Sequence, residues 1–270
     1  MKFDLKNSRL IGTRLKMSNT IIDYTKGIEI GIPMNIFQNI FTNNHYGKEI
    51  MNPELIILQF LIGFYTYGKD RYKDALEYEK QPYETHKKEF YENIIENKES
   101  YKEMYELMDL IVFFSFLANN NYKLSTPFMI LLSTANFYDD FKKKYGCLKP
   151  IYVSIMWTAC TVILPCVIHD KDFSIIKYPL DYLPCALTLF ANSNYADNKD
   201  IIEDKQNNIE TLPVKYGLEK SNMLSLAALG LSSLIFGMSE HFLNRPLINS
   251  LFELQNVGTA FIIANSTNIF

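Results

Sequence analysis

Two uncharged runs dominate the polarity pattern of the chain: Pro150 to Ile168 and Ser221 to Ser239, each 19 residues long. Each is about the length that a bilayer-spanning helix needs, roughly 20 residues. Less clean apolar segments fall at 27–46, 52–67, 107–119, 124–138, 178–196 and 247–268. Several of these carry one acid, namely Glu29, Glu54, Asp109, Asp181 and Glu253. The stretch 78–106 has mixed charges at helical spacing and predicts a solvated or interfacial helix. The pattern predicts an all-α chain: a single membrane-embedded domain over 1–270, a bundle of about eight and possibly nine transmembrane helices.

The cations follow these segments. If all eight segments span and the N-terminus is inside, the inner regions 1–26, 68–106, 139–149 and 197–220 hold 22 Lys and Arg, against 5 in the outer regions. A cytoplasm-like inner face attracts such an excess. The expectation is therefore a multi-pass protein embedded in a lipid bilayer. Its N-terminus and the charged loops 68–106 and 197–220 lie on the inner face.

Composition narrows the classes. The chain has 270 residues, 48% hydrophobic, 14% aromatic and 21% charged, which excludes a disordered or collagen-like chain. A net charge of −3 argues against a nucleic-acid partner, which needs a basic surplus. Mean hydropathy is −0.07, so the membrane expectation rests on charge distribution alone. Cys147, Cys160, Cys166 and Cys185 make no C-x-x-C pair and read as reduced, buried thiols. No apolar run follows the basic residues at positions 2–16, so no signal peptide is expected.

Two acidic clusters end the second and sixth segments, on the same inner side. Each holds two Asp four residues apart, Asp70 with Asp74 and Asp200 with Asp204, so on a helix both carboxylates share a face. Like charges at that spacing repel unless a cation bridges them, and Mg²⁺ takes such oxygens together with phosphates. Arg71, Lys205 and Lys142 to Lys144 could then neutralise a departing pyrophosphate. Solvated acids at helix ends would leave the same pattern.

Residues 66–74 and 192–217 resemble the motifs of the UbiA-type membrane prenyltransferases. The family's first motif is N-D-x-x-D-x-x-x-D; Asp70 and Asp74 match its last two acids, and Thr66 and Tyr67 replace its Asn-Asp. Its second is D-x-x-Y-A-x-x-D-x-x-x-D, followed by T-L-P-V-x-x-G. Asn192, Tyr195, Ala196, Asp200 and Asp204 follow that spacing, with Asn for the leading acid, and Thr211 to Gly217 match the final element. The resemblance covers about residues 30–265. It implies Mg²⁺ held by Asp70, Asp74, Asp200 and Asp204, an isoprenyl diphosphate donor, and a lipophilic, typically aromatic acceptor. Arg71, Asn192, Tyr195, Lys205 and Lys142 are the expected substrate contacts.

The remaining chemistry-bearing residues read more plainly. His45, His86, His169 and His241 have no partners at metal spacing. Trp157 reads as packing, while Pro165 and Pro184 predict kinked helices. Two other functions use similar residues. A helical isoprenyl diphosphate synthase or terpene cyclase also pairs acidic motifs about Mg²⁺, but its D-D-x-x-D run is absent here. A non-catalytic membrane protein or cation transporter would bury acids in mid-span.

Overall fold

The computed structural model describes residues 53–85, 87–118, 129–130, 133–134, 136–160, 179–238 and 246–266. Every regular element among them is helical. In chain order they are α1 (Pro53–Lys80), α2 (Lys88–Glu96), α3 (Lys98–Ala118), α4 (Tyr138–Lys144), α5 (Lys149–Thr158), α6 (Pro179–Ala196), α7 (Ile201–Gln206), α8 (Leu212–Tyr216), α9 (Leu218–Gly237) and α10 (Pro246–Ser266). Short 3₁₀ turns at Gly146–Leu148 and Asp197–Asp200 lead into α5 and α7. The all-α expectation holds for these residues.

One half is organised around α6, which packs against α9 and α5, with α10 against α9 and touching α6. Small residues make the close approach possible. Ser221, Ser225, Ala228 and Ser232 recur at helical spacing on α9 and are buried, facing Thr188, Ala191 and Asn194 of α6. Their polar atoms satisfy one another. Asn194 Nδ2 donates to Ser225 Oγ at 2.8 Å and to the Ser221 carbonyl at 2.8 Å. Thr188 Oγ1 donates to Asn256 Oδ1 of α10 at 2.9 Å. Buried polar groups that find partners cost little, whereas an orphan costs about 1–3 kcal/mol. Ala191, Ala228, Leu229 and Ile263 supply the apolar contact between the polar rungs.

The other half is an aromatic core between α1, α2 and α3, built from Ala75, Tyr78, Tyr91, Ile94, Tyr101 and Tyr105. The Tyr78 and Tyr91 ring centroids lie 5.6 Å apart, and those of Tyr72 and Tyr105 also 5.6 Å. Tyrosine suits this place because its ring packs while its hydroxyl reaches polar neighbours. Gly68 of α1 lies against Tyr105, where a Cβ would sit 2.5 Å from the phenol oxygen. Pro82, two residues past the end of α1, disfavours further helix.

The expected bundle of transmembrane spans, and with it the integral multi-pass localisation, does not hold. Among the described residues no helix is long and apolar enough to cross a membrane. The run 221–239 is free of charge but not of polarity, since Ser221, Asn222, Ser225, Ser232 and Ser233 lie within it. Helix α1 turns charged from Lys69 onward and α3 carries charges through Asp109, so each is apolar over only about half its length. The proposed loops 68–106 and 197–220 are themselves largely helical.

The cation asymmetry also has a local cause. Arg71, Lys87, Lys98, Lys142, Lys143 and Lys149, all in the cation-rich regions, pair with acids. Segment 27–46, most of 124–138 and 161–168, His45, His86, Pro165, Cys166, His169 and His241 lie outside the described residues.

Candidate functional site: a buried cluster of acids and cations

Helix α1 carries Asp70, Arg71 and Asp74 to the boundary between the two halves. Asp74 is buried and held on three sides: Lys142 Nζ of α4 is 3.4 Å from Oδ1, Arg71 Nη1 is 3.4 Å from Oδ2, and the Tyr91 hydroxyl is 3.5 Å from Oδ2. Burial disfavours its charge, but Lys142, Arg71 and Lys87 outweigh that and hold the carboxyl below the ordinary range. One turn earlier, Asp70 has Oδ1 enclosed with no hydrogen-bond partner. Burial, and then the Asp74 charge, push its carboxyl above the ordinary range.

The second acidic segment reaches the same place from α6. The helix stops at Ala196, a 3₁₀ turn carries Asp197 to Asp200, and α7 follows. This break changes the expected geometry, because Asp200 and Asp204 now face different partners. Asp200 Oδ1 is 3.1 Å from Lys87 Nζ, and the Lys87, Lys149 and Arg71 charges override burial to hold it low. Asp204 Oδ2 instead accepts a hydrogen bond from Thr211 Oγ1 at 3.0 Å, and burial pushes its carboxyl up to about 6.

The T-L-P-V-K-Y-G element thereby acquires a structural account. Thr211 is the extended residue before α8, Pro213 lies in the first turn, and Gly217 ends it at φ +85°, a conformation glycine adopts without strain.

Two lysines and two acids that the motifs did not single out complete the cluster. Lys149, the first residue of α5, forms a close buried ion pair with Asp197. Lys87, just before α2, lies 3.2 Å from Glu203 Oε2 as well as beside Asp200. Glu203 also accepts from Thr85 Oγ1 at 2.8 Å and from the Tyr91 hydroxyl at 3.1 Å. Lys149 could have been suspected from its place as the last charge before the 150–168 run. Lys87 and Glu203 gave no signal, being 116 positions apart.

The other expected contacts divide. Lys142 is buried in the cluster and Arg71 joins it. Lys205 is exposed on α7. The Tyr195 ring packs on the apolar contact between α6, α9 and α10. Asn192 is half-buried on α6.

Six acids (Asp70, Asp74, Asp197, Asp200, Glu203 and Asp204) thus meet four cations (Arg71, Lys87, Lys142 and Lys149). Burial raises the carboxyls of Asp70, Asp197 and Asp204 despite nearby lysines. Asp197 Oδ2, like Asp70 Oδ1, is buried without a hydrogen-bond partner. Hard oxygen donors short of positive charge suit a divalent cation such as Mg²⁺. The residues present fit that group.

In comparisons with known proteins, no family model, no curated protein and no solved structure matches the chain. The resemblance described above rests on the motif residues alone.

Proposed function

We propose that the chain binds an isoprenyl diphosphate with Mg²⁺ at the cluster and transfers the isoprenyl group to a lipophilic, aromatic acceptor. The observation that supports this reading most is convergence. Asp70 and Asp74 lie more than 120 positions before Asp197 to Asp204, yet the Tyr91 hydroxyl lies 3.5 Å from Asp74 and donates to Glu203 at 3.1 Å. The Lys87 charge acts on Asp74 as well as Asp200, and Arg71 acts on Asp200 as well as Asp74. A diphosphate needs both signs of charge, a metal held by carboxylates and cations for its remaining oxygens.

Asp70, Asp74, Asp197 and Asp200 would hold Mg²⁺, which when bound neutralises charge on the leaving diphosphate. Arg71 and Lys142 sit beside Asp74, placed to bind phosphate oxygens. Lys87 and Lys149 do the same beside Asp200 and Asp197. The allylic C–O bond breaks, and diphosphate leaves with the electron pair. An acceptor carbon then bonds to the allylic carbon and gives up a proton. Tyr91 and Tyr138 stand at the cluster, with rings suited to the passing positive charge.

A second reading has its own support. Each of the four cations already has a carboxylate partner, as in an ion-pair network that only fastens the helices. Incubating the purified protein with labelled farnesyl diphosphate, Mg²⁺ and a panel of aromatic acceptors separates the two. The transferase reading expects Mg²⁺-dependent release of diphosphate and a labelled adduct. Intact farnesyl diphosphate at the end of the incubation, with every acceptor, favours the fastening network.

A further inference from the structure

The first acidic motif of this chain lacks two of the residues that its resemblance would supply, since Thr66 and Tyr67 stand where Asn and Asp are expected. The fold brings another carboxylate to that end. Asp139, in the first turn of α4, has a carboxylate oxygen that lies, with one each from Asp70 and Asp74, in a group whose members are all within 4.8 Å of one another. Two oxygens on an Mg²⁺ octahedron are about 3 Å apart when adjacent and about 4.2 Å when opposite, from metal–oxygen distances of about 2.1 Å. A pair at the 4.8 Å limit closes by about 0.6 Å to take opposite positions and by about 1.8 Å to take adjacent ones, within the reach of side-chain rotation.

A second observation points into the same space. Thr66, Asp70 and Asp139 line one small pocket. Both residues are half-buried, but Thr66 Oγ1 and Asp70 Oδ1 are themselves buried without a hydrogen-bond partner. Each such oxygen costs about 1–3 kcal/mol when nothing satisfies it. The two lie one turn apart on α1, on the face that continues to Asp74. Lys69, which also lines the pocket, is turned to Asp109 at 3.3 Å and to the Tyr65 hydroxyl at 2.6 Å, so its charge is engaged at the rim.

We propose that Asp139 and the Thr66 hydroxyl complete a divalent-cation site with Asp70 and Asp74, replacing the ligands missing from the first motif. The proposal rests on the reading of α1's acids as a metal motif. In the ion-free protein Lys142 and Arg71 hold Asp74, and Lys143 holds Asp139 at 3.3 Å. On cation binding these ammonium and guanidinium groups are freed for the accompanying anion.

The test is Mn²⁺ binding to the purified full chain without any diphosphate, followed by electron paramagnetic resonance of the free ion. Asp139→Asn is expected to weaken the α1 site by about tenfold or more, since even residues behind the ligands change metal affinity by 10–100-fold. Thr66→Val should weaken it by less, and Asp139→Glu, which keeps a carboxylate, should retain most of the affinity. Circular dichroism checks that each variant is folded; the one ion pair of Asp139 is to the half-exposed Lys143 and Asn keeps the side chain's size, so Asn is expected to be tolerated.

Folded Asp139→Asn that binds Mn²⁺ within about twofold of the parent, while Asp70→Asn does not, overturns the proposal and leaves the transferase reading standing. Mn²⁺ binding that depends on Asp139 without any turnover of farnesyl diphosphate supports the site and counts against the transferase reading. A parent protein that binds no Mn²⁺ at millimolar concentration overturns both.

Discussion

Lys87 lies 3.2 Å from Glu203 across 116 positions of sequence, and both side chains are about nine-tenths buried. This pair fastens the segment before α2 onto α7. The backbone N–H of Glu84 donates to Gln206 Oε1 at 3.0 Å beside it. Removing one partner of such a pair leaves a buried charge uncompensated, which costs about 3–5 kcal/mol. Lys87→Met should lower stability by that order in urea unfolding. Adding Glu203→Leu should recover a large part, because a desolvated pair and a well-packed apolar pair are close in free energy. A double variant no better than the single one would show that Lys87 acts mainly through Asp200.

Asp204 offers a pH signature. Burial raises its carboxyl to about 6 in the folded chain, against an unfolded value of about 3.9. Between those pH values the folded chain holds a proton that the unfolded chain has lost. Its contribution to stability is therefore complete below about pH 4 and is lost as pH rises through about 6. Asp204→Asn keeps an oxygen for the Thr211 hydroxyl but has nothing to titrate. Its stability gain over the parent should grow from pH 4 to 6 and then level off at about 2–3 kcal/mol. Equilibrium unfolding at four pH values measures it, and a pH-independent difference would refute the assignment.

Three glycines separate packing from propensity. A Cβ on Gly146 would meet the Glu210 carbonyl carbon at 2.7 Å, where backbone must move. Gly146→Ala should destabilise by about 1–3 kcal/mol, the usual cost of forcing atoms into a filled space. Gly230 and Gly258 lie in α9 and α10 with open space at Cβ. Alanine there should stabilise by up to about 1 kcal/mol through helix propensity. Thermal unfolding of the three variants gives the signs directly.

The helices and the two acidic motifs were legible because local patterns carry them. The run 221–239 does form α9 over most of its length, and 178–196 forms α6. A charge-free run is not an apolar one. Ser221, Ser225 and Ser232 are polar residues that a helix can bury only because Asn194, Thr188 and Asn256 answer them, and those partners come from other elements. The helical spacing of Asp200 and Asp204 is likewise interrupted by a 3₁₀ turn that the pattern does not announce. Lys87 and Asp139 were illegible as site residues because only the fold brings them to the acids. Four of the 22 cations counted as inward, Arg71, Lys87, Lys142 and Lys149, belong to this network.

The central claim is that acids from α1 and from the 197–204 segment act together on one Mg²⁺–diphosphate. Equilibrium dialysis of labelled farnesyl diphosphate against the purified chain, with Mg²⁺ or with EDTA, tests it most directly. The account predicts retention with Mg²⁺, loss in EDTA, and at least a tenfold weakening in both Asp70→Asn and Asp197→Asn, about the effect of disturbing a metal's surroundings. Retention that ignores Mg²⁺, or that survives either substitution unchanged, would contradict it.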